Sequence, residues 1–178
     1  MSVTRYREGP AASPGFLLWH LTLTWQRAVT AVLEPLGLTH VQFVLLACAW
    51  WMSGQGQIPN QLQLARQAGT DVKMTSQVVR RLEAKGLLDR AVDPDDSRAR
   101  RLRLTAQGQR LARRAITAVE EADARFFGTE AAEATALLQR LLGPGLPRDR
   151  ATAPAGGGAQ RSNPLGQVTS WRAPLRTS

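Results

Sequence analysis

The chain has 178 residues, a net charge of +9 and a hydrophobic fraction of 43%, enough for one domain with a core, plus a tail. A single cysteine, Cys48, excludes an internal disulfide and a Cys-based zinc site. No stretch reaches the roughly 20 apolar residues of a membrane span, and the opening MSVTRYREGP lacks the apolar run of a secretion signal, so a soluble cytoplasmic protein is expected.

Residues 1–12 read as a flexible arm. Ser13-Pro14 then forms an N-cap with proline in the first turn, and a helix is predicted to about Glu34, where Pro35 and Gly37 stop it. Thr39 and Gln42 fit a capping box for a second helix to about Met52. That helix is apolar nearly all round (VQFVLLACAWWM) and therefore belongs at the centre. Pro59-Asn60 opens a short helix, QLQLARQA, ended by Gly69. Asp71 caps the next, which runs to about Lys85 with Gly86 as its stop. Two short helices joined by a tight turn read as helix-turn-helix.

Leu87–Val92 and Arg101–Leu104 are predicted strands around the turn-forming DPDDS. Thr105 caps a long helix with an apolar stripe at Leu111, Ala115, Val119, Ala122 and Phe126. A last helix is predicted from about Thr129 to Leu142. The composition then becomes rich in Pro, Gly and Ala, and residues 143–178 read as a disordered tail. The fold class is mainly α with a small β-wing: a DNA-binding lobe at about 58–105, and dimerisation helices at about 13–34 and 106–142.

The charge is local. Residues 66–114 hold 13 Lys/Arg against 6 Asp/Glu, whereas residues 115–142 hold 2 Arg against 5 acids. A basic excess confined to the helix-turn-helix and wing suggests a docking surface for nucleic acid. On a helix over 72–85, Thr75, Val78, Val79 and Leu82 share the packing face. Lys73, Ser76, Gln77 and Arg80 lie opposite, with Met74 and Arg81 at the margins. A recognition helix presents its first turns to base edges, where Gln reads adenine and Arg reads guanine. The candidate DNA contacts are Lys73, Thr75 (despite its packing face), Ser76, Gln77, Arg80 and Arg81. The wing adds Asp96, Arg98, Arg100 and Arg101, with an arginine at the tip suited to the narrow minor groove and Asp96 placed to hold Arg98.

LEAKGLL, DPDDSRARRLRLT, the AQG that follows and the upstream GLTHVQFVLL resemble the MarR family of transcriptional regulators over residues 13–142. The resemblance implies a homodimer with interlocked terminal helices and one winged helix-turn-helix per subunit, acting as a repressor on a pseudo-palindromic operator. It also implies that residues 72–85 are the recognition helix and that Asp96 and Arg98 are the wing pair. Release from double-stranded DNA by a small aromatic effector, or by thiol oxidation, is implied in the same way. A rival reading is a winged helix used for protein docking, against which the basic excess argues.

No Ser/His/Asp set, carboxylate pair or phosphate-cradling glycine loop points to catalysis, and no cofactor is expected. His20 and His40 are too few for a metal site. Trp19, Trp25 and Trp50 crowd the first two helices and are either core and dimer packing or the walls of a ligand pocket. Cys48 is either a small buried hydrophobe or, in the thiol alternative, a redox sensor, which would need exposure and a lowered pKa.

Overall fold

The computed structural model describes residues 5–92 and 100–143. Helix α1 (Pro14–Leu33) begins as the sequence predicts, with the Ser13 hydroxyl accepting from the Phe16 amide. The end of the expected arm forms a short 3-10 turn, Pro10–Ala12, that runs into it. Gly37, left-handed at φ 66°, reverses the chain. Helix α2 (His40–Gly54) opens on the complete Thr39/Gln42 capping box and runs two residues beyond the predicted end.

Helix α3 (Gln61–Ala68) is capped by a second box, Asn60 with Gln63, and closed by left-handed Gly69. Helix α4 (Val72–Ala84) follows after a three-residue turn. Strands β1 (Leu88–Val92) and β2 (Arg100–Leu104) pair antiparallel, Leu88 opposite Leu104 and Val92 opposite Arg100. The chain before α3 extends this ribbon through an Asn60–Arg101 bridge and a Leu102 amide donating to the Pro59 carbonyl at 2.8 Å. Helix α5 (Ala106–Phe127), capped by Thr105, leads through a 3-10 turn at Gly128–Glu130 into α6 (Ala131–Leu142), which starts two residues later than predicted.

Helix α2 is the hub and packs on α1, α3, α4, α5 and β2. Its Leu45, Leu46, Ala49 and Met52 meet Val29 and Leu33 of α1, Leu64 of α3, Val79 and Leu82 of α4, and Ala112 and Ala115 of α5. The stripe predicted on α5 is buried at Ala115, Val119 and Ala122 and half-buried at Leu111 and Phe126. Gly108, Ala112 and Ile116 widen it. Gly108 is special: a Cβ there would overlap the Leu87 carbonyl oxygen. The glycine of AQG is what lets α5 lie against the start of β1.

Candidate nucleic-acid interface

Helix α4 owes its placement to its two ends and one face. At its start the Asp71 carboxylate accepts from the Lys73 and Met74 amides at 2.8 and 3.0 Å, satisfying orphan donors and favouring the positive helix terminus. Thr75, Val78, Val79 and Leu82 are buried. At the other end Lys85 Nζ donates to the Gly37 carbonyl at 2.6 Å and to Gln42 Oε1 at 2.9 Å. The helix is thus tied to the α1–α2 turn. Glu83 pairs with Arg90 of β1 at 2.8 Å, fixing the wing against the same helix.

With its apolar face closed, α4 turns its polar face outward. Lys73, Gln77, Arg80 and Arg81 are exposed and Ser76 is half-exposed, as the helical spacing predicts. Thr75 is the correction. It is fully buried, its hydroxyl donating to the Asp71 carbonyl at 2.8 Å and lying 2.8 Å from the Thr70 hydroxyl. It builds the turn and is withdrawn from the contact set. Arg100 is exposed and Arg101 half-buried at the start of β2. Asp96 and Arg98 lie outside the described residues, as does the span from 144 onward.

The three tryptophans do not converge. Trp19 is 62% exposed on the outer half of α1, whereas Trp25 and Trp50 are half-buried against the core. Among the described residues no ring contact joins two indoles. Trp25 instead meets the His40 ring edge-on at 5.1 Å and donates its Nε1–H to Asp123 Oδ1 at 2.7 Å. Local sequence spacing does not announce that junction of α1, α2 and α5. Its only sequence signal was an acid on the inner side of an otherwise apolar stripe. Burial holds His40 below its ordinary pKa, with Asp123 pulling the other way. Two cavities, of about 450 and 200 Å³, open on α5 with α1 and with α6, and no tryptophan lines either.

Cys48 is buried on α2, and burial pushes its thiol up to about 11. This is the opposite of the exposed, acidified thiol that sensing requires. No group of three potential metal ligands occurs among the described residues. No single helix among them is long and apolar enough to cross a membrane.

A family model described as the MarR family matches residues 38–99. The HTH-type transcriptional regulator YdcH of Bacillus subtilis is 43% identical over 137 residues, which is 76% of this chain and 93% of that protein. The chain belongs to the MarR family of transcriptional regulators. The HTH-type transcriptional repressor Rv2887 of Mycobacterium tuberculosis is 34% identical over 72% of this chain and 89% of the repressor. Its solved complex with DNA superimposes with a TM-score of 0.56 at 32% identity, over 73% of this chain and 98% of that one. Its complex with salicylic acid gives 0.57 at 33%, over 73% and 96%. CouR of Rhodococcus jostii RHA1, bound to p-coumaroyl-CoA, gives 0.68 at 28% identity, over 79% and 97%. The MarR architecture accounts for the wing, the central α2 and the end helices of this chain alike.

Proposed function

We propose that this MarR-family chain is a homodimeric, DNA-binding repressor of the cytoplasm, released from a pseudo-palindromic operator by a small aromatic effector. The observation that carries the reading is the outward face of α4: Lys73, Ser76, Gln77, Arg80 and Arg81 on a helix whose opposite face is fully closed. Gln77 and Arg80 read base edges. Lys73, Ser76 and Arg81 hold phosphates. Arg98 with Asp96, together with Arg100 and Arg101, form the wing contact. The DNA complex of Rv2887 supports DNA as the partner.

Dimerisation through 13–34 and 106–142 is supported by the apolar residues that α1 and α6 leave exposed. Of the three tryptophans only Trp25 is kept for the effector, at its junction with His40 and Asp123, because Trp19 lies exposed on the outer half of α1 and Trp50 makes no ring contact with that junction among the described residues. The ligands of Rv2887 and CouR support an aromatic class.

Gel shift of the full chain against genomic fragments at two salt concentrations tests the reading. Steep weakening with salt is expected, because each phosphate contact adds about one unit to the slope. Arg80→Ala should cost about 1–3 kcal/mol at particular operator positions. Arg98→Ala should lower the slope by about one unit on all sequences. Salt-independent or absent binding would replace this reading with a protein-docking module.

A further inference from the structure

The first turn of α4 carries two apolar side chains that the fold does not use. Val72 is 43% exposed and Met74 38%, and neither joins the core cluster. Their backbone is nevertheless held from both sides. The Asp71 carboxylate accepts from the Met74 amide at 3.0 Å, and the Val72 carbonyl accepts from the Gln61 side-chain amide of α3 at 3.4 Å. At the positive end of a helix the side chains that stabilise are acidic or capping ones, yet this first turn holds no acid. Single apolar residues scattered over a surface need no explanation. Val72 and Met74 stand instead on either side of Lys73, at the two edges of the outward polar face, in the turn that a recognition helix presents to base edges.

The apolar group on offer in the major groove is the 5-methyl of thymine, which marks an A·T pair and its strand. A helix about 10–12 Å across nearly fills a groove about 12 Å wide, so the flanks of its first turn come against base edges as well as its centre. Val72 has few rotamers to lose on contact, and Met74 is flexible enough to adapt to the position of a methyl. Neither side chain carries a donor for a base acceptor or a charge for a phosphate. Contact with a methyl is the readout open to them.

We propose that Val72 and Met74 give α4 a preference for A·T pairs by packing on the 5-methyl groups of thymine. The inference rests on the DNA-binding reading and adds to it the base pair that the first turn selects.

The test uses the full chain and a genomic fragment selected by its binding, amplified once with dTTP and once with dUTP. The two DNAs keep the same base pairs and phosphates and differ only in the 5-methyl groups. The wild-type chain should bind the thymine form at least about fourfold more tightly, the effect of burying one methyl. Val72→Ser with Met74→Gln should weaken binding to the thymine form and bring the ratio to about one. Helicity should be unchanged, and so should the salt slope, because neither residue carries charge. Arg81→Ala, at a phosphate contact, should weaken both forms alike and keep the ratio. Equal wild-type affinity for the two forms overturns the proposal. A double variant that keeps the wild-type ratio overturns it too, since the preference would then lie in other contacts or in DNA shape. If no fragment is retained at low salt, the DNA-binding reading itself falls, and this proposal with it.

Discussion

Helix α4 and the pair α1/α6 solve opposite problems with similar material. Helix α4 buries Thr75, Val78, Val79 and Leu82 within its own chain, leaves Val72 and Met74 open at the margins of that face, and exposes charge. The outer half of α1 exposes Phe16, Leu17, Leu18, Trp19 and Leu21, and α6 exposes Leu137, Leu138, Leu141 and Leu142, with no residue of α6 buried. A closed apolar face with a polar outside suits a surface that meets charged, hydrated DNA. An open apolar face of this size suits another protein surface. The contrast divides the molecule into a proposed reading lobe, closed within one chain, and a frame whose open face suits a second.

Gly108 joins the two halves, where α5 leaves the wing. Gly108→Ala should give the largest effect, a destabilisation of about 3 kcal/mol, because the added carbon meets backbone that cannot rotate aside. Chemical denaturation measures it. A loss under about 0.5 kcal/mol, the range of a neutral surface change, would mean that lobe and frame are not rigidly joined at this point.

Breaking the frame alone should spare the lobe. Leu17 and Leu141 are 53% and 73% exposed, so Leu17→Glu with Leu141→Glu removes little from the monomer's own core. We expect a folded monomer by light scattering, with operator affinity down about 100-fold, or about 2.7 kcal/mol, as one half-site is lost. A dimer that survives both charges would move the interface elsewhere.

This division also explains what the sequence could reveal. The lobe was legible because its signals are local. Asp71, Gly69, Gly86, the Thr39/Gln42 box and the 3.6-residue spacing on α4 each act within a few residues. Thr75 shows the limit, since the same hydroxyl suits a phosphate contact or a turn, and only the position of Thr70 decides between them. The frame was legible as helices but not as contacts. Proximity in sequence suggests a tryptophan cluster, whereas Trp25 finds its partners in His40 and Asp123, the latter 98 residues away. The ties from Lys85 to Gly37 and Gln42 span 48 and 43 residues. Nothing in local spacing announces such pairs.

Asp71→Ala probes the lobe from within. Removing the two cap bonds should cost about 1 kcal/mol of stability and fray the first turn of α4, where Lys73 sits. The weakening of DNA binding should then exceed what the global loss predicts. Equal losses in stability and binding would show that the first turn is not part of the contact surface.

The smallest effect belongs to His40, at the junction of the frame with α2. Burial lowers its pKa in the folded chain below the ordinary 6.5, and Asp123 only partly offsets this. The unfolded chain therefore takes up a proton at higher pH than the folded one. Folding stability contributed by neutral His40 is complete above about 6.5 and is lost as pH falls from there through the lower folded value. The melting temperature should decline as pH falls below about 6.5, and His40→Gln should flatten that decline without altering the neutral-pH baseline greatly. Asp123→Asn should act the other way: with the one raising influence removed, the folded pKa drops further and the decline steepens. If His40→Gln leaves the slope unchanged, the acid sensitivity of the frame resides in its carboxylates, and the Trp25–His40–Asp123 junction is a packing contact that the proton does not reach.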